Sequence, residues 1–282
     1  MRVIKAATAG FCMGVSLAVD KLDKALARKD GNLYTLGPII HNPLVVREYE
    51  ARGAVCLEDY TLAEPGATVV IRAHGLPRSL EEGLRSKGLK VVDATCPKVK
   101  AAQTAIRKGY ESGLGTLLLF GEKDHPEVRG LLSYAGSGSL VFNSLEELRS
   151  LPLNPDQPCF VAAQTTQNKK GFEEILILLN GFFRYKLSVL CTICDATQNR
   201  QDDVIRLARK TRSMVIVGGL NSGNTRRLAE ISRNLGIFTV HCENASALPL
   251  DRLRALQPVG LSAGASTPDA HIDEVERELR NA

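Results

Sequence analysis

The chain is 282 residues long, 44% hydrophobic and 24% charged, with a net charge of +5 at pH 7. That length and apolar content allow a buried core and exclude a disordered chain, while the basic residues are scattered along helical stretches as solvated faces rather than gathered in a tract. Tryptophan is absent and aromatics make up only 5%, which argues against a nucleic-acid stacking platform, and the longest apolar runs, 116–120 and 174–183, are too short or too broken to span a membrane.

Strand-type apolar runs alternate with helical periodicity from end to end. Residues 3–8 read as a strand and 14–29 as an amphipathic helix; 33–40 is a strand leading into a helix that starts near Pro43. Strands at 67–73 and 90–95 flank a helical 79–88, and the series continues with 115–122, 139–143, 158–164, 213–219 and 237–242. This alternation predicts an α/β chain of parallel sheets with helices outside. Cutting it at its cysteines gives three units, 1–96, 97–189 and 190–282. The N-terminal strand before Cys12 is expected to pair with the third unit, which lacks a strand at its own start. The opening MRVIKAATAGFCMGV has no long apolar core of the signal-peptide kind, so the expectation is a soluble cytoplasmic protein. There, seven cysteines, an odd number, stay reduced or bind metal.

A repeat runs through those cysteines. Cys12 precedes His41 by 29 residues, Cys96 precedes His125 by 29, and Cys194 precedes Ser222 by 28. A second polar motif then closes an apolar stretch in each unit: His74 in IRAHG, Thr165 in VAAQTT and Ser266 in GLSAGAST. Fixed-period similarity marks a repeated structural unit, and three units with one thiol and two polar tips each would assemble one site. In α/β proteins such tips sit at the carboxyl ends of strands beside helix N-termini. His41-Asn42-Pro43, His125-Pro126-Glu127 and Asn221-Ser222-Gly223-Asn224-Thr225 all read as helix starts with free N–H groups for an anion.

Cys56, Cys159 and Cys242 lie inside apolar runs and read as buried, inert thiols. Cys191 and Cys194 form a CxxC, but only Cys194 keeps the repeat offset. Three distant thiolates suit an iron–sulfur cluster with one iron left open, whereas a structural zinc site wants a fourth close ligand. The imidazoles, hydroxyls and amides of the repeat make a donor shell for phosphate oxygens. Glu127, the one carboxylate among these motifs, reads either as a first-turn acid favoured by the helix dipole or as a proton relay, with Thr165 or Thr166 passing the proton on through a hydroxyl.

At these residues the chain resembles the 4-hydroxy-3-methylbut-2-enyl diphosphate reductase family, the last enzymes of the methylerythritol phosphate route to isoprenoids. The likeness runs through nine motifs in order: GFCMGV (10–15), GPIIHN (37–42), RAHG (72–75), DATCPKV (93–99), HPEVRG (125–130), QTT (164–166), TICDATQNRQ (192–201), NSGNT (221–225) and GASTP (264–268). It implies three small α/β lobes in a pseudo-threefold arrangement around one central [4Fe–4S] cluster held by Cys12, Cys96 and Cys194. It implies His41, His74, His125, Ser222, Asn224 and Ser266 around a diphosphate, with Thr165 and Glu127 near the substrate hydroxyl. Gly223 stands where many relatives have a second serine, leaving only its backbone N–H to serve, and Leu220 replaces a lysine often seen there. An acidic electron donor such as a flavodoxin or ferredoxin is implied, with an allylic diphosphate as substrate and reductive dehydroxylation to isopentenyl and dimethylallyl diphosphate as the reaction. Three other readings fit less well. Quinolinate synthase, also three-lobed with three cysteines and an open iron, does not share the nine motifs. An iron–sulfur sensor or electron carrier needs no ring of His, Ser and Asn. A zinc hydrolase built on His125 and Glu127 lacks the i, i+4 histidine pairing of a helical zinc motif.

Overall fold

A computed structural model describes residues 1–183 and 187–282. The first stretch carries β1 (Val3–Lys5), α1 (Met13–Arg28), β2 (Leu33–Leu36), α2 (Pro43–Ala51), β3 (Ala54–Leu57), β4 (Thr68–Ile71), α3 (Arg78–Ser86) and β5 (Lys90–Asp93). It continues with α4 (Pro97–Glu111), β6 (Thr116–Phe120), α5 (Pro126–Leu132), β7 (Leu140–Phe142), α6 (Leu145–Ser150), β8 (Cys159–Ala163), α7 (Lys169–Phe183) and β9 (Leu187–Val189). The last stretch holds α8 (Asp195–Ala208), β10 (Ser213–Val217), α9 (Gly223–Asn234), β11 (Phe238–Cys242), α10 (Leu250–Ala255), β12 (Val259–Ala263) and α11 (Asp269–Asn281).

The strands form three four-stranded sheets, ordered β3-β2-β4-β5, β7-β6-β8-β9 and β11-β10-β12-β1, and every pairing is parallel. Counted within each sheet the order is the same, 2-1-3-4. In the third sheet the fourth place is taken by β1, which lies beside β12 with Val3 opposite Val259. The N-terminal strand therefore takes the fourth place in the third sheet.

The chain divides into two compact units. One comprises residues 1–16, 40–52 and 195–282 and contains the third sheet; the other comprises 17–39 and 53–194 and contains the first two sheets. In the smaller unit, Met214 and Ile216 face Val204, Leu207 and Leu228, while Val215 and Val217 face Ile272, Val275 and Leu279. In the larger unit, Leu117 and Leu119 of β6 pack with Ala102 and Ile106 of α4 and with Val128 and Leu131 of α5; Leu118 and Phe120 turn to Phe172, Ile175 and Leu179 of α7. Successive strand residues thus bury themselves on opposite faces, which is why the strands read as continuous apolar runs and not as alternating ones. None of the described helices is long and apolar enough to cross a membrane.

Three strands fell outside the sequence expectation: β12, whose residues were read only as an apolar stretch ending at Ser266, and the short β3 and β9. β3 and β9 have four and three residues, each an edge strand. On β3 the Cys56 thiol is half-exposed and not buried as expected, because an edge strand lacks a neighbour on one side. Cys159 and Cys242 are buried, and burial pushes both thiols up to about 12.

Phe160 of β8 is fully buried, and its ring lies against α4 where Gly109 leaves room for it. Phe160→Ala is expected to cost about 3–5 kcal/mol, the usual range for an aromatic-to-alanine cavity in a core. The check is a urea melt with a lower midpoint at unchanged slope.

Candidate active site

Each cysteine of the repeat lies just past the fourth strand of its sheet and directly before a long helix. Cys12 follows β1 and precedes α1, Cys96 follows β5 and precedes α4, and Cys194 follows β9 and precedes α8; these helices have 16, 15 and 14 residues. None of the three cysteines is in a disulfide, and all are half-buried. His41, His125 and Ser222 each lie five residues past the first strand of their sheets, β2, β6 and β10. His74 and Ser266 lie three residues past the third strands, β4 and β12. Past β8 that same offset falls on Thr166, and Thr165 lies one residue earlier.

In the larger unit the geometry centres on Glu127. His125 is the N-cap of α5, and its Nδ1 accepts the Glu127 N–H at 3.1 Å. Glu127, in the first helical turn, is 2% exposed. The Thr165 N–H donates to Glu127 Oε1 at 2.6 Å and the Thr165 hydroxyl to Oε2 at 3.0 Å. Burial pushes the carboxyl up to about 7, against the pull of those two hydrogen bonds. The rings of His74 and His125 meet edge to face, centroids 5.4 Å apart. Backbone bonds tie the cysteines into the same framework: Cys96 N–H donates to Ala73 O at 2.9 Å, and Cys194 N–H to Thr165 O at 2.9 Å.

In the smaller unit a second set forms. The Ser266 hydroxyl donates to His41 O at 3.1 Å, and Asn42 Nδ2 donates to Ser266 O at 2.9 Å while its Oδ1 caps α2. Cys12 N–H donates to Ala265 O at 3.2 Å. Ser222 caps α9, its Oγ accepting the Thr225 N–H at 3.3 Å, and Gly223 is the buried first residue of that helix. Gly264 lets α9 approach β12 closely, since a Cβ there would stand 2.0 Å from Thr225 Oγ1. Gly219 does the same for the His41 loop, where a Cβ would stand 2.7 Å from His41 O. Asn224 is 7% exposed and its Nδ2 has no hydrogen-bond partner among the described residues, so a buried donor lies at the N-terminus of a 12-residue helix.

Several residues that position this machinery escaped the sequence reading. Before Cys12, Asp203 accepts the Thr8 N–H and hydroxyl at 3.0 and 2.9 Å, and Arg200 donates to Gly10 O at 2.6 Å. Both belong to α8, three residues apart on one face. Before Cys96, Lys21 donates to Asp93 O at 2.6 Å and Lys100 pairs with the Asp93 carboxylate at 3.0 Å. Burial raises that carboxyl, but the hydrogen bonds from Thr95 and Lys100 win and hold it below its ordinary value. Before Cys194, the Thr192 hydroxyl engages both backbone groups of Ala163. Thr192 and Arg200 lie inside TICDATQNRQ, so that motif's length was their only signal.

A family model described as LytB protein matches residues 3–280. The chain belongs to the LytB family. It is 55% identical to a 4-hydroxy-3-methylbut-2-enyl diphosphate reductase from Nitratidesulfovibrio vulgaris, over the full length of both chains. It is 43% identical to the reductase of that name from Aquifex aeolicus, covering 99% of this chain and 96% of the other. Among solved structures, the E-1-hydroxy-2-methyl-but-2-enyl-4-diphosphate reductase from Plasmodium falciparum matches 98% of this chain and 87% of that one with a TM-score of 0.92 at 25% identity. Another, an (E)-4-hydroxy-3-methyl-but-2-enyl diphosphate reductase described as the terminal enzyme of the non-mevalonate pathway, matches over all of both chains with a TM-score of 0.72 at 41% identity. This LytB chain shares its three-sheet fold with both.

The buried acid makes stability depend on pH. Glu127 titrates near its ordinary 4.5 in the unfolded chain and at about 7 when folded. Between those values the unfolded chain has lost its proton and the folded one has not, so stability falls as pH rises from about 4.5 to 7 and levels off above. Glu127→Gln lacks this loss. Its stability relative to the wild type is expected to improve by roughly 3 kcal/mol between pH 4.5 and 8. Denaturation series across that range check this, and a constant difference would place the carboxyl at its ordinary value.

Proposed function

We propose that this chain is a 4-hydroxy-3-methylbut-2-enyl diphosphate reductase. It takes an allylic alcohol, breaks its C–O bond with two electrons and two protons, and releases water with isopentenyl or dimethylallyl diphosphate. The observation that carries the reading is Glu127, a buried carboxyl that keeps a proton near neutral pH and touches the hydroxyl of Thr165.

Cys12, Cys96 and Cys194 are the proposed ligands of a [4Fe–4S] cluster. What supports this is their chemistry: three thiols outside any disulfide, each at the start of a long helix whose N–H groups and positive dipole end suit an anionic cage. When bound, the cluster supplies the electrons and a Lewis-acidic iron.

The chain's own groups do the rest. His41, His74, His125, Ser222, Asn224 and Ser266 are the proposed diphosphate shell, with the Gly223 N–H in place of a further hydroxyl. Ser222, Gly223 and Asn224 bring a helix N-terminus and the buried Asn224 donor. Leu220 is 52% exposed, so no cation stands at that position. By gripping the diphosphate these residues hold the allylic carbon in register, and such positioning supplies a large share of a barrier reduction.

In the acid, the Thr165 N–H can only donate, so it claims Oε1 and leaves the proton of neutral Glu127 on Oε2. The Thr165 hydroxyl then accepts that proton's hydrogen bond and turns its own O–H outward. Glu127 and Thr165 thus form a two-member relay that delivers a proton to the leaving oxygen. The electrons come from an acidic donor of the flavodoxin or ferredoxin type, and the net charge of +5 supports an acidic partner. The reaction is placed in the cytoplasm.

Glu127→Gln is expected to retain cluster and diphosphate affinity while turnover falls by roughly 10²-fold or more, the common cost of losing a general acid. Near-normal turnover with an intact cluster would remove Glu127 from the role. Serine at Cys12, Cys96 or Cys194 is expected to strip iron and sulfide from the anaerobically purified protein, whereas Cys191→Ser retains them. Equal loss from Cys191→Ser would reassign the ligands.

A further inference from the structure

The last residues of β8 are held more tightly than a strand end requires. β9 stops at Val189, and the ladder gains one more bond, Leu190 N–H to Val161 O at 2.9 Å. Cys191 turns outward and is exposed. Thr192 turns back in, and its hydroxyl accepts the Ala163 N–H at 2.8 Å and donates to Ala163 O at 2.6 Å. One side chain thus satisfies both backbone groups that a longer β9 would have paired. Gln164 N–H donates to Phe120 O at 2.8 Å, and Thr165 O accepts from Cys194 N–H. From Ala163 to Thr165 the backbone is pinned at each residue, and Thr165 is the residue that reaches Glu127 through both its N–H and its hydroxyl.

We propose that Thr192 is a positioning residue for the proton donor: by closing the β8 ladder where β9 ends, its hydroxyl fixes the place from which Thr165 holds Glu127. The inference rests on the reading of Glu127 as the acid. Thr192 need not touch substrate or cluster, and acts through Ala163 and the two peptide units that follow. Among the described residues, the ionisable group bonded at Glu127 is His125, whose Nδ1 accepts the Glu127 N–H, and His74 stands edge-on to His125. Neither is altered by a change at Thr192.

The test uses Thr192→Val, which keeps the shape but leaves both Ala163 groups without their partner, and Thr192→Ser, which keeps the hydroxyl. Infrared difference spectra of the holoenzyme across pH follow the protonated carboxyl stretch, identified as the band missing from Glu127→Gln. The Thr165 N–H can only donate and so favours the ionised carboxylate; loosening it moves the Glu127 midpoint upward, by roughly one pH unit for one weakened hydrogen bond to a charged group. Thr192→Val is expected to show that shift with iron and sulfide content unchanged, together with a several-fold lower kcat, an unchanged KM and an alkaline limb displaced upward. Thr192→Ser is expected to match the wild type. Should the valine variant not fold, Thr192→Ala removes the same hydroxyl without placing a methyl between two polar groups, and the same shift is expected. A midpoint equal to that of the wild type in whichever of these variants folds would overturn the proposal. The infrared arm does not depend on turnover. If the wild type fails to reduce the allylic diphosphate, the functional reading falls, while the coupling of Thr192 to Glu127 is still decided.

Discussion

In a parallel sheet every strand opens at the same edge, and the helix that returns the chain begins there. Most of this protein's chemistry follows from that constraint. Each sheet has the order 2-1-3-4, and the candidate residues leave the first, third and fourth strands, which are neighbours. The second strand of each set, β3, β7 or β11, lies at the edge and carries none of them. The repeat of roughly 29 residues is the length of one long helix, one strand and a loop. His125 and Ser222 both cap the helices they precede, so backbone N–H groups and the positive end of a dipole face the same way as the side chains.

The acid depends on a competition within that frame. Taking a carboxyl out of water favours its neutral form, while the Thr165 N–H and hydroxyl favour the charged one. Burial dominates, but only part of the way, and the outcome is a group poised close to neutrality. Such a balance needs rigid partners, because a small displacement of either donor would move it. Glu127 sits on the first turn of a helix packed through Val128 and Leu131 into the core, and Thr165 sits at the end of a fully buried strand.

Much of this was legible in the residues. Burial on both faces turns parallel strands into apolar runs, so β1, β2, β4–β8, β10 and β11 could be read from composition. Pro43 and Pro126 marked helix starts because proline lacks an N–H that a first turn would leave unused. β3 and β9 could not be read, being four residues and three residues at sheet edges, with too little burial to leave a pattern. Their absence also hid the exposure of Cys56 and the reason for Thr192, whose role exists only because β9 ends early. Matching Thr165 with His74 and Ser266 shows the same limit, since the strand offset falls on Thr166 whereas the contact with Glu127 is made by Thr165.

Residue type and spacing by themselves determined the α/β class, the threefold repeat and its candidate residues, because periodicity and turn chemistry are local properties of a chain. They also carried the family resemblance. Tertiary structure decided the rest: that Glu127 is buried against Thr165, and that Arg200, Asp203 and Lys21 brace the loops before two cysteines. Those depend on desolvation and on hydrogen bonds between residues 38 to 195 positions apart, and no local pattern encodes which distant partner a polar side chain will meet.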